Sequence, residues 1–177
     1  PALALVALNA GIAHAKLGSD EEAIAAFEQE LALNPKNPEA ATRKGVSLLR
    51  LGRHTDAINI LADSVENDAA NKWSWFYLGV AYSSADHLDD AVRAFDNVLE
   101  IDRRCARAYF ERGNALARMG KPLEAVVSYD QALDLSPSDA KVLFHKGIAL
   151  AQREKYDDAI QAFEKALSLE PDNAEGL

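Results

Sequence analysis

The sequence predicts an all-α fold, a solenoid of stacked helix-turn-helix units. Three observations predict it. Gly11, Gly45, Gly79, Gly113 and Gly147 each stand 34 residues after the last. Ala23, Ala57, Ala91, Ala125 and Ala159 follow in the same register without a gap. A bulky apolar residue comes four positions after each alanine: Phe27, Leu61, Phe95, Tyr129 and Phe163. That spacing puts alanine and bulky residue on one helix face. Glycine mid-way along a first helix, and alanine early in a second, mark where two helices approach too closely for a large side chain.

Counted from Ala4, five units run 4–37, 38–71, 72–105, 106–139 and 140–173. In the first, Gly18 ends the first helix and Pro35 closes the second. In the second, Gly52 sits between helices, where a left-handed residue is wanted. The third opens its second helix on Asp89 and Asp90, as the first does on Glu21 and Glu22. In the fourth, Gly120 precedes Pro122, whose missing N–H costs nothing in a first helical turn, and Pro137 closes the unit. The fifth opens its second helix on Asp157 and Asp158 and closes on Pro171. Ala174 to Leu177 start a sixth unit, and the chain reads as an excised piece of a longer array.

This pattern resembles the tetratricopeptide repeat, whose motif is Trp-x-x-Leu-Gly-x-x-Tyr followed by Ala, an aromatic, Ala and Pro. The third unit carries the opening as Trp75, Leu78, Gly79 and Tyr82. The fifth carries the close as Ala159, Phe163, Ala166 and Pro171. The resemblance spans 170 of the 177 residues, five units of 34. It implies a right-handed solenoid of about ten antiparallel helices forming one domain over 4–173. It specifies fold far more than function. Lys44, Arg112 and Lys146 replace the motif leucine, with stems that pack while the charge snorkels out. Glu30 and Ser64 take the late alanine's place. Ala69 and Arg103 replace the closing proline, and Asp86 and Glu154 the inter-helix glycine. These departures are expected to loosen local corners without shifting the register.

Composition narrows the rest. The chain is 49% hydrophobic and 27% charged, with net charge −9. A single cysteine, Cys105, excludes an internal disulfide. The apolar stretch from Ala2 to Ala15 lacks a basic flank and completes a first helix, so it reads as structure and not as a leader. No run is long enough to span a membrane, and a cytoplasmic location is the default expectation.

The residues offer little chemistry. His14, His54, His87 and His145 occupy four different repeat positions, so stacking does not gather them. There is no His-Glu-x-x-His, Cys-x-x-Cys, phosphate-cradling loop or nucleophile elbow. The acid pairs that open second helices suit the positive helix end. No enzyme activity, cofactor or metal is therefore expected. Nucleic acid is excluded as a partner by an acidic chain of pI about 4.9, which phosphates repel.

The resemblance implies that first helices line the concave surface and second helices the convex one. Sorted that way, acids dominate the convex side, Glu28, Asp96, Asp130 and Glu164 among them, opposed by Arg93 and Lys165. The groove side is basic: Lys16, Arg43, Arg50, Arg107, Arg118 and Lys141 outnumber Glu39 and Glu111. Phe76, Phe110 and Phe144 recur there at spacing 34, beside Trp73, Tyr77, Asn114 and His145. Aromatics and arginine dominate binding hot spots.

The leading expectation is a non-catalytic protein-interaction scaffold. A partner peptide or protein segment with acidic and apolar residues would lie in the groove against Arg43, Arg50, Trp73, Phe76, Tyr77, Arg107, Phe110, Asn114, Arg118, Lys141, Phe144 and His145. The lysine–asparagine clamp with which relatives hold acidic chaperone tails has no matching frame here. Nor is there the asparagine ladder of glycosyltransferase relatives. One alternative is self-assembly through the apolar end at Leu3, Leu5, Leu8 and Ile12. Another is a substrate-recruiting array of a larger enzyme.

Overall fold

The computed structural model describes residues 2–171. It contains ten helices: α1 (Ala2–Leu17), α2 (Asp20–Leu33), α3 (Pro38–Arg50), α4 (His54–Asn67), α5 (Lys72–Ser84), α6 (Leu88–Ile101), α7 (Ala106–Arg118), α8 (Pro122–Leu135), α9 (Ala140–Gln152) and α10 (Tyr156–Leu169). Among the described residues there is no strand. The expected start of a sixth unit at 174–177 lies outside them. The packing divides the chain after Asp90 into two compact units.

The glycine–aromatic register has a steric cause. A Cβ on Gly11 would lie 2.5 Å from Phe27, and one on Gly45 2.6 Å from Leu61. In the second unit a Cβ on Gly113 would meet Tyr129 at 2.5 Å, and one on Gly147 would meet Phe163 at 2.5 Å. In these four hairpins the large residue of the second helix thus lies against the backbone of the first helix. Each hairpin closes through a left-handed residue: Gly18, Gly52 and Gly120, but also Asp86 and Glu154. The bond that follows is conserved in form. Arg53 N–H reaches Leu48 O at 2.9 Å, and Lys155 N–H reaches Leu150 O at 3.0 Å. Asp86 and Glu154 therefore adopt the glycine conformation at some local strain.

First helices start on a second 34-residue rhythm. Asn37 accepts from the N–H groups of Glu39 and Ala40, Asn71 from Trp73 and Ser74, and Asp139 from Val142. Cys105 holds the same place before α7 and makes no side-chain cap.

Within the first unit α1 packs on α2, α2 on α3, α3 on α4 and α4 on α5, and α3 also touches α1 and α5. The second helices α2 and α4 do not meet among the described residues. In the second unit α7, α8, α9 and α10 pack in the same sequence, and α7 touches α9 while α8 and α10 stay apart. Closer approach on the first-helix side makes that side the inner one in each unit. The first unit's core gathers Ile24, Leu48, Ala57, Leu61, Val65, Leu78 and Ala81. The second gathers Phe110, Leu116, Tyr129, Val142 and Leu150 with small alanines between them.

The substitutions at motif positions turn out to be structural. Glu30 is buried and accepts from Asn34 Nδ2 at 2.8 Å and Asn37 Nδ2 at 2.7 Å, tying the α2–α3 corner. Ser64 joins a buried hydroxyl chain, with Ser74 Oγ 2.9 Å from Ser64 Oγ and 2.7 Å from Thr42 Oγ1. The corner at Ala69, expected to be loose, is held by the Trp75 indole N–H, which donates to Ala69 O at 3.0 Å.

Candidate functional site

The inner face of the first unit is carried by α3 and α5. Trp73 is 46% exposed, near the start of α5. Its ring meets Phe76 edge-on at 6.1 Å, and Lys72 Nζ stands 5.2 Å from its centroid. Phe76 meets Tyr77 edge-on at 5.4 Å. Tyr77 is half-buried, but Phe76 is fully buried. Arg43 is exposed and bonded to Glu39 one turn back, Nη2 to Oε1 at 2.8 Å. Arg50 donates to Ala15 O at 3.0 Å and reaches Asp20 Oδ1 at 3.4 Å. It therefore ties the end of α3 to the α1–α2 turn.

The second unit presents α7 and α9. Arg107, Arg118 and Lys141 are exposed, and Asn114, Phe144 and His145 are half-buried. Lys141 Nζ stands 5.5 Å from the centre of the Phe110 ring. His145 lies between two aromatic rings, 5.2 Å from Phe110 and 5.8 Å from Phe144, both edge-on. Its Nδ1 is 2.8 Å from Lys141 O. Asn114 is engaged on both sides. Its Oδ1 accepts from Tyr129 Oη at 2.9 Å, and its Nδ2 donates to Glu111 Oε2 at 3.2 Å. Burial pushes the Tyr129 phenol above its ordinary range, and the nearby Glu111 charge pushes it the same way.

The phenylalanine ladder needs correcting. Phe76 and Phe110 are buried, so they support the wall and do not offer contact surface. Phe144 keeps partial exposure while stacking on Phe163 at 5.6 Å. Asn114 is likewise engaged internally. What remains accessible is Trp73, Tyr77 and Arg43 in one unit, and Arg107, Arg118, Lys141, Phe144 and His145 in the other. At the start of the chain Leu3 and Leu5 are exposed, Leu3 by 69%, with Val6 beside them; Leu8 and Ile12 are half-buried.

Sequence reasoning missed one recurring feature. The cations at motif leucine positions do not snorkel into water but bind an acid of the preceding second helix. Lys44 Nζ lies 2.8 Å from Glu28, Arg112 Nε 2.7 Å from Asp96, and Lys146 Nζ 2.6 Å from Asp130. Arg112 also donates to Ser128 Oγ at 2.8 Å. The signal was present as a 16-residue offset between acid and base, repeated three times. Among the described residues no group of three or more His, Cys, Asp and Glu could hold a metal ion. No described helix is long and apolar enough to cross a membrane.

A tetratricopeptide repeat family model matches residues 8–72, 76–126 and 110–174. The chain belongs to the tetratricopeptide repeat family. No curated protein matches it. Among solved structures, MamA 41-end from Desulfovibrio magneticus RS-1 superposes with a TM-score of 0.90 at 20% identity, over 98% of each chain. MamA from MSR-1 aligns at 27% identity and TM-score 0.81, covering 97% of this chain and 98% of its own. A further MamA crystal structure gives 25% identity and TM-score 0.86, with 93% and 96% covered. These likenesses establish a shared helical-repeat fold. As a tetratricopeptide repeat protein, the chain is a scaffold of the kind that engages other proteins.

Proposed function

We propose that this chain is a non-catalytic scaffold that holds a partner peptide or protein segment against the inner faces of its first helices, with the cytoplasm as its place of action. One observation carries the reading. In a chain of net charge −9, the accessible side chains of the inner faces are chiefly aromatic and basic, with Glu39 the exposed acid among them. Trp73 and Tyr77 offer flat apolar surface with Arg43 one helix away. In the other unit Arg107, Arg118 and Lys141 are exposed, with Phe144 and His145 partly open on α9. Such a surface suits a segment that alternates apolar side chains with carboxylates. The whole 4–173 array acting as one domain is part of this proposal.

The test is affinity capture from native lysate, with the wild-type chain as bait beside a Trp73→Ala/Arg107→Glu/Lys141→Glu variant. All three positions are exposed, so the variant keeps its core. A protein retained by the first and lost by the second supports the reading; equal retention overturns it.

Self-assembly is a second reading, favoured by the exposure of Leu3, Leu5 and Val6 along α1. Light scattering across a concentration series decides it. Growth in mass that Leu3→Asp/Leu5→Asp abolishes supports assembly, and a constant monomer mass counts against it.

A further inference from the structure

The two tryptophans of the chain, Trp73 and Trp75, both lie on α5 and are used differently. Trp75 gives its indole N–H to Ala69 O at 3.0 Å and so closes the corner before α5. Trp73 is 46% exposed, and its indole N–H has no hydrogen-bond partner among the described residues. Lys72 Nζ lies over its ring, 5.2 Å from the centroid. Tyr77 follows one turn later and is half-buried. Its hydroxyl likewise has no partner among the described residues and is not sealed from solvent. Both rings stand on one support, each edge-on to the buried Phe76 ring, at 76° and 87°.

These groups give the face a direction of hydrogen bonding. It offers donors, the Trp73 N–H and the Tyr77 O–H. Its exposed acid, Glu39, is already bonded to Arg43, Nη2 to Oε1 at 2.8 Å. A helix laid on this face brings carbonyls that are already bonded within the helix. A β-strand brings N–H groups that find few acceptors there. A polyproline II segment matches the face. Its carbonyls are unbonded, and its prolines have no N–H to satisfy. The spacing agrees. Four residues of α-helix rise about 6 Å, and two residues of polyproline II, at about 3.1 Å each, span the same distance. Prolines at i and i+2 occupy adjacent edges of that three-sided helix and so reach one ring each.

We propose that the inner face of α5 is a site for a proline-rich segment of a partner in the polyproline II conformation. Prolines pack on the Trp73 and Tyr77 rings, and the indole N–H and phenol O–H donate to carbonyls of the segment. The proposal rests on the reading of the inner faces as a partner site, and it names the chemistry of the segment held by the first unit.

The probe is octaproline blocked at both ends, titrated into the isotopically labelled 177-residue chain and followed by nuclear magnetic resonance. The two indole N–H resonances serve as reporter and control. The Trp73 resonance, assigned by its loss in Trp73→Phe, is expected to shift and saturate, and the Trp75 resonance to stay in place. Trp73→Ala is expected to weaken binding about tenfold or more. Tyr77→Phe, which keeps the ring and removes the donor, is expected to weaken it about threefold to fivefold. Unchanged helical circular dichroism shows that these variants remain folded. Absence of a saturable shift, or equal shifts at both indoles, overturns the proposal. So does tighter binding of a blocked peptide that alternates aspartate and leucine, read at the same Trp73 resonance. That result leaves the inner-face reading standing and changes only the class of segment. Binding of both peptides that is indifferent to Trp73→Ala overturns the proposal and counts against the inner-face reading as well.

Discussion

At the scale of single residues, two positions show how a local rule is kept or broken. Cys105 occupies the place at which Asn37, Asn71 and Asp139 cap their helices, with backbone angles close to those of Asn71. The donors of the first turn of α7 therefore lack the carboxamide that caps α5. Cys105→Asn is expected to stabilise the chain by about 1 kcal/mol, measured as a higher urea midpoint at unchanged slope. Tyr129 illustrates a different constraint. Its phenol is buried and donates to Asn114, so the folded state keeps the proton to higher pH than the unfolded chain does. The stability this confers is complete below about pH 10 and declines as pH rises through the folded pKa. Denaturation between neutral and strongly alkaline pH is expected to show that decline, and Tyr129→Phe is expected to flatten it. The same variant loses about 1 kcal/mol at neutral pH from the broken hydrogen bond. The structure shows that Asn37, Asn71, Cys105 and Asp139 share one place in the 34-residue period; the period itself singled out none of them as caps. It could not show which hydroxyl would be sealed from water, because that depends on neighbours in other helices.

At the scale of helices, the hairpins close on contact between the first helix's backbone and a large side chain of the second: the rings of Phe27, Tyr129 and Phe163, and the branched end of Leu61. Gly147 is the clearest case, since a Cβ there would lie 2.5 Å from the Phe163 ring. Gly147→Ala is expected to cost about 1–3 kcal/mol, and a compensating Phe163→Leu to recover part of it, in a double-mutant cycle by thermal or urea unfolding. Between hairpins the coupling is partly ionic. Lys44, Arg112 and Lys146 each join their helix to the one before it, half-sheltered from solvent. Period and small-residue positions identified every helix pair, because steric exclusion at a crossing leaves a mark on the sequence. The ion pairs went unread because acid and base lie in different helices, and only the packing shows that they meet. Glu30 and Ser64 were equally opaque: each seemed a defect in the motif, yet each ties a corner through partners 4 to 10 residues away.

At the scale of the whole molecule, charge is sorted by surface. Acids crowd the second helices, and the first helices carry the exposed bases Arg43, Arg50, Arg107, Arg118 and Lys141. If partner binding uses Arg43, Arg107 and Lys141, raising ionic strength from about 0.05 to 0.5 M should weaken it several-fold, chiefly through slower association. Isothermal titration at the two salt concentrations, with the captured partner, measures this. A salt-independent affinity would assign the binding to the aromatic side chains alone. By itself the sequence determined the all-α repeat, its register and the family, because every repeat must bury the same close crossing and so repeats the same small and large residues. Only the tertiary structure decided which ring of the phenylalanine series stays open and which motif cation has an acid to bind. Those outcomes depend on what the neighbouring helix supplies, and a period records position without recording the neighbour.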